Sequence, residues 1–102
     1  MSEFVTVASI EEVPPGERIV VEVADHYIAL FNVDHSLYAI EDLCTHDDGP
    51  LAEGELVGIV IECPRHGAKF DITTGKVLSM PAIKPVPRYE VRIQGDEIQI
   101  LI

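Results

Sequence analysis

The sequence predicts an all-β protein, an antiparallel β-sandwich or barrel, and three observations predict it. The apolar residues are rich in Val and Ile, β-branched types that suit a pleated, half-buried strand. Short apolar runs are broken by frequent turn signals, the spacing of sandwiches and barrels. No stretch keeps a helical period for three turns. At 102 residues the chain has the size of one domain with one hydrophobic core.

Taken in order, Phe4 to Ala8 reads as a first strand and EEVPPGE after it as a loop. RIVVEVA (18–24) and HYIALFNV (26–33) are apolar-rich strands. The turn VDHS (33–36) leads into SLYAIE (36–41) and completes a hairpin. LCTHDDGPLAEG (43–54) is a polar loop, and GIVIE (58–62) is a strand that runs straight into a second loop, CPRHG (63–67). AKFDI and KVLSM flank Thr73-Thr74-Gly75, a hairpin signal in which glycine takes a positive φ. Pro81, Pro85 and Pro87 mark an irregular segment, because proline cannot donate to a ladder. In RYEVRIQ, Tyr89, Val91 and Ile93 alternate with Glu90, Arg92 and Gln94; QGDE then turns into EIQILI, a terminal hairpin with a buried face.

Charge narrows the function. Eighteen acidic against seven basic residues give a net charge of −11. Nucleic acid and anionic membranes are bound through Lys and Arg, so neither is an expected partner. No run of about 18 apolar residues forms a membrane span. The amino terminus, MSEFVTVASIEEV, has neither a basic region nor an apolar core of a secretory signal, which makes a cytoplasmic protein the expectation.

The chemistry lies in the two polar loops. Each bears one cysteine and one histidine: Cys44-x-His46, then sixteen residues, then Cys63-x-x-His66. Thiolate and imidazole are the side chains that bind soft or borderline metals, and the loops end neighbouring strands, so they can close on one object. A single CxH arises often by chance; two such pairs in one small chain are a strong signal. Three readings fit the residue types. A Cys44–Cys63 disulfide leaves both histidines unexplained and is uncommon in a reducing compartment. Zinc accepts Cys₂His₂, although zinc knuckles usually pair cysteines as CxxC. A [2Fe–2S] cluster with two cysteines on one iron and two histidines on the other uses all four.

Cys44-Thr45-His46 with Gly49-Pro50-Leu51, and Cys63-Pro64-Arg65-His66-Gly67 with Phe70-Asp71 and Thr74-Gly75, resemble the two cluster boxes of Rieske iron–sulfur proteins. The likeness covers nearly the whole chain, and in size the chain is similar to the small Rieske-type ferredoxins of bacterial aromatic-ring-hydroxylating dioxygenase systems. The resemblance implies a single Rieske domain over residues 1–102: an antiparallel β-sandwich with a small cluster-binding subdomain at about 42–84. It implies that Cys44 and Cys63 hold an inner iron, and His46 and His66 an outer iron near the surface. Gly49 and Gly67 would let backbone amides approach the cluster. The respiratory and photosynthetic branch adds a cysteine to each box and a Ser and a Tyr that donate to cluster sulfur. Here those places look like Gly49 and Arg65, and Ala68 and Phe70. The chain therefore resembles the low-potential, soluble branch.

The expected function follows from that likeness. No nucleophile–base pair, GxGxxG or P-loop is present, and the chain has no room for the mononuclear-iron domain of an oxygenase. The resemblance implies an electron carrier rather than an enzyme, a monomer that passes one electron from a flavin-dependent, NAD(P)H-linked reductase to a terminal Rieske oxygenase. The rivals are a Rieske ferredoxin of another pathway or of iron–sulfur assembly, and a redox-inert module, either zinc-stabilised or like the small subunit of nitrite reductases. Outside the boxes, His26 and His35 are expected at the surface, Asp47 and Asp48 as solvated loop carboxylates, and Arg65 with Lys69 as a small basic spot. Tyr27, Tyr38 and Tyr89 are expected in or at the edge of the core, and Met80 in packing.

Overall fold

Five consecutive buried residues, Ile28 to Asn32, run down the middle of one strand and show how the layers stack. A strand with one solvated face would alternate; a continuous buried run means that both faces are covered. The computed structural model describes residues 3–45, 49–65 and 67–102. Eleven strands are found among the described residues: β1 (Phe4–Ser9), β2 (Arg18–Val23), β3 (His26–Val33), β4 (Ser36–Glu41), β5 (Glu55–Val57), β6 (Val60–Glu62), β7 (Lys69–Asp71), β8 (Val77–Ser79), β9 (Arg88–Tyr89), β10 (Val91–Gln94) and β11 (Glu97–Leu101). They form three antiparallel sheets, β1-β11-β10, β2-β3-β4-β9 and β5-β6-β7-β8.

The β2-β3-β4-β9 sheet is the middle layer. Ile28 and Leu30 of β3, with Ala39 of β4, pack against Ala8, Val13, Ile98 and Ile100 on one side. Ala29 and Phe31, with Ile40, pack against Ile61, Phe70 and Ile72 on the other. The single core expected from the sequence is thus two cores, one on each face of this sheet. Each fully buried Ile, Leu or Phe contributes about 1.5–3 kcal/mol. Asn32, the one polar member of the run, is satisfied: its Nδ2 donates to the Val13 carbonyl at 2.8 Å and its Oδ1 accepts from the His35 amide at 2.9 Å.

Tight turns set the register. Ala24 and Asp25 join β2 to β3, Asp34 and His35 join β3 to β4, and all four have positive φ. That is the backbone of two-residue primed turns, whose twist matches the strands they join.

Three expectations change. GIVIE is not one strand: β5 and β6 form a hairpin about Gly58 and Ile59, so the preceding polar loop is followed by a strand of its own. RYEVRIQ is cut at Glu90, with β9 pairing to β4 and β10 to β11, so the chain passes from one sheet to another there. Its alternation fades accordingly, and Ile93 is half exposed. EEVPPGE begins with a 3-10 turn, Ile10–Glu12, in which Glu12 Oε1 accepts from the Ser9 amide at 3.0 Å.

Candidate metal centre

The first cysteine loop leaves β4 through Asp42. One carboxylate oxygen, Asp42 Oδ1, accepts from the amides of Leu51 at 2.8 Å and Ala52 at 2.7 Å, pinning the far end of the loop to its start. Between them the Cys44 amide donates to the Gly49 carbonyl at 2.7 Å. The second loop repeats the device: the Cys63 amide donates to the Ala68 carbonyl, also at 2.7 Å. In each loop a cysteine closes on the residue five positions ahead. Gly67, with φ of +78°, makes the second reversal, and its amide donates back to the Cys63 carbonyl at 3.1 Å. The two loops touch through Gly54, where a Cβ would overlap the Glu62 carbonyl oxygen just before Cys63.

This construction puts Cys44 (0% exposed) and Cys63 (1%) in the same buried cluster, beside Leu51, Ala68 and Phe70. No disulfide joins them. Two cysteines brought together in dry, apolar surroundings without a disulfide are placed to act as metal ligands. A metal group with thiolate ligands fits that environment. His46 and His66, the other two expected ligands, lie outside the described residues, as do Asp47 and Asp48.

A third segment flanks the loops. The Thr45 hydroxyl donates to the Lys84 carbonyl at 2.6 Å. Ala82 and Val86 anchor this proline-rich strap in the core, while Met80 (79%) and Ile83 (78%) project to solvent. The Val86 amide donates to the Gly75 carbonyl at 2.8 Å, and a Cβ at Gly75 would overlap the Val86 carbonyl. Met80, expected in packing, is exposed because β8 ends at Ser79 and the strap turns away. Gly75 itself follows an Asp71 turn. Burial would raise the Asp71 carboxyl, but hydrogen bonds from the Thr73 hydroxyl and amide and the Thr74 amide, together with Lys76, hold it below its usual value.

Asp42 and Gly54 were not singled out by the sequence. Each acts on backbone distant along the chain, so only their types, an acid after a strand and a glycine in a loop, hint at them. Glu41 also emerges as a hub: Tyr89 donates its hydroxyl to Glu41 Oε1 at 2.9 Å, and His26 Nδ1 lies 3.0 Å from the same atom. Burial, then the hydrogen bond and charge of Glu41, push the Tyr89 hydroxyl up to about 12. Tyr38 and Tyr89 are partly buried as expected, but Tyr27 is 58% exposed at the start of β3. Lys69 is no free cation, since its Nζ lies 4.0 Å from Glu62 Oε1.

Two matched loops bury paired cysteines against an antiparallel β-layer, an arrangement that suits a metal-binding β-protein. The chain belongs to the Rieske [2Fe-2S] domain family, whose model matches residues 3–90. Its cofactor is accordingly a Rieske-type [2Fe–2S] cluster. The chain is 42% identical to the biphenyl dioxygenase ferredoxin subunit of Pseudomonas sp. (strain KKS102), covering 95% of this chain and 90% of that one. Among solved structures it is similar to the ferredoxin of carbazole 1,9a-dioxygenase from Nocardioides aromaticivorans IC177, with a TM-score of 0.90, 32% identity and 95% of each chain covered. It is likewise similar to the ferredoxin in a complex of reduced oxygenase and oxidized ferredoxin of carbazole 1,9a-dioxygenase, with a TM-score of 0.87, 36% identity, and 95% and 91% covered.

Proposed function

We propose that this protein is an electron carrier, not an enzyme, that takes one electron from a flavin-dependent, NAD(P)H-linked reductase and delivers it to a terminal ring-hydroxylating oxygenase. The observation that supports it best is the matched pair of loops that bury Cys44 and Cys63 together. In this reading Cys44 and Cys63 hold the inner iron, and His46 and His66 the outer iron. The cluster, when bound, supplies a one-electron couple. The protein's own part is to keep that couple dry and rigid. Leu51, Ala68 and Phe70 exclude water from the cysteine side, and Asp42 fixes the loop. Rigid ligand loops reduce the rearrangement that accompanies each electron transfer.

The reading takes residues 1–102 as one domain, with 42–84 as the cluster-binding part, working as a cytoplasmic monomer. No helix is long and apolar enough to cross a membrane among the described residues. The relatives named above support the pathway, being ferredoxin components of dioxygenase systems, one of them seen with its oxygenase. Met80 and Ile83, exposed on the strap that Thr45 ties to the first loop, offer an apolar contact for such a partner.

Metal and sulfide analysis with absorption and electron paramagnetic resonance spectroscopy tests the reading. Two irons and two labile sulfides per chain are expected, with the cluster lost in Cys44→Ala or Cys63→Ala and kept in His26→Ala or His35→Ala. A colourless protein holding one zinc would end it.

A further inference from the structure

The outer face of the β5-β6-β7-β8 sheet is a surface that the fold itself leaves without a use. Its inner face is committed: Leu56, Ile61, Phe70 and Val77 pack into the core beside the cysteines. Outward-facing Val57, Val60 and Leu78 line a groove of about 400 Å³ with Glu55, Glu62 and Lys69. Val57 is 65% exposed and Leu78 47%.

Charge makes the groove unusual. Glu55 stands directly opposite Glu62, and Glu62 directly opposite Lys69. Like charges directly opposite on neighbouring strands destabilise a sheet. Lys69, 4.0 Å from Glu62, relieves part of that repulsion and leaves Glu55 unbalanced in the row. The next row, Val57 opposite Val60, is apolar. The row is also close to the second cysteine loop: Glu62 precedes Cys63, and a Cβ at Gly67 would come within 3.8 Å of Glu62 Oε2.

We propose that this groove docks a basic redox partner, a protein presenting a Lys or Arg side chain framed by apolar ones, the cation seating between Glu55 and Glu62 and the apolar rim on Val57, Val60 and Leu78. The inference rests on the electron-carrier reading and adds a second docking face beside the strap. The −11 charge favours a cationic partner and steers its approach. It disfavours a nucleic acid or an anionic membrane. A second copy is disfavoured too, since a two-fold contact would set the same acidic row against itself.

The test is stopped-flow reduction of mitochondrial cytochrome c, a basic one-electron acceptor, by dithionite-reduced holoprotein. At low salt Glu55→Gln/Glu62→Gln is expected to react about three- to tenfold more slowly than wild type, the gap closing as salt is raised. Val57→Ser/Leu78→Ser is expected to be about threefold slower at every salt concentration. Glu11→Gln/Glu22→Gln, which removes equal charge elsewhere, controls for net charge. Carbodiimide cross-links from cytochrome c lysines should map to Glu55 or Glu62. If Glu62→Gln costs the cluster, Glu55→Gln and Leu78→Ser each serve alone. Groove variants as fast as wild type, equal slowing in the control pair, cross-links confined to other carboxylates, or a wild-type dimer dispersed by Val57→Ser/Leu78→Ser would each overturn the groove and leave the carrier reading standing. A wild type without cluster absorption, or one that cannot reduce cytochrome c, would overturn both.

Discussion

The hydroxyl of Thr45 and the carbonyl of Lys84, 39 positions apart, are joined by a 2.6 Å hydrogen bond. It clamps the first cysteine loop to the proline strap without a covalent link. In the branch that the resemblance sets apart by an extra cysteine in each box, those two cysteines would form a disulfide that clamps loop to loop. Here the clamps are hydrogen bonds and a close glycine contact.

Removing the Thr45 clamp while keeping its shape should loosen the site rather than the fold. Thr45→Val should cost about 1 kcal/mol, the net value of a hydrogen bond. Cluster absorbance followed in the presence of an iron chelator should decay several-fold faster than in wild type. An unchanged decay would show that the clamp has no hold on the cluster.

Gly54 is the tighter restraint. A methyl group there must overlap the Glu62 carbonyl, which is backbone and cannot swing away. Gly54→Ala should therefore separate the two loops, destabilise by about 2 kcal/mol or more, and lower cluster occupancy. Thermal unfolding and iron content check both. Gly16→Ala meets no atom within 4 Å and suffers only from its φ of +87°, so it should keep its iron.

How much of this was legible in the sequence depends on how far along the chain each cause reaches. β2, β3, β4 and the terminal hairpin were legible because long apolar runs and Gln94–Glu97 turn chemistry are local. β5 and the break at Glu90 were not: three-residue strands are too short to show a period, and a jump between sheets leaves no mark in an alternating run. That Cys44 and Cys63 come together was legible, because two loops of matching residue types end neighbouring strands. Asp42 and Gly54 were not, since one serves the amides of Leu51 and Ala52 and the other yields room to Glu62. Tyr27 and Met80 are apolar in type but sit at a strand start and beyond a strand end, where no layer covers them.

Tyr89 predicts the alkaline limb of stability. Its folded value, raised from 10.0 to about 12, means that the folded state holds a proton that the unfolded chain releases. The stabilisation is fully present below pH 10 and is lost as pH rises from 10 towards 12. Urea unfolding across that window should show wild type losing stability faster than Tyr89→Phe. The variant should also be weaker at neutral pH, having lost the bond to Glu41. Parallel curves for the two proteins would remove Tyr89 as the cause.

The reduction potential tests the two missing hydroxyls. A donor to a cluster sulfur stabilises the reduced state most, because the added electron makes sulfur the better acceptor. If each donor is worth about 1 kcal/mol between redox states, it shifts a one-electron couple by roughly 40 mV. The wild type should then lie near the low end of the Rieske range, at about −150 mV. Ala68→Ser with Phe70→Tyr should raise it by on the order of 80 mV. Burial adds a second readout, because Ala68 and Phe70 are both 0% exposed. A new hydroxyl there that finds no acceptor costs about 1–3 kcal/mol. If the hydroxyls reach sulfur, voltammetry shows the rise and thermal stability changes little. A double variant that keeps its cluster, melts well below wild type and shows no rise in potential would mean that these positions do not face the sulfurs.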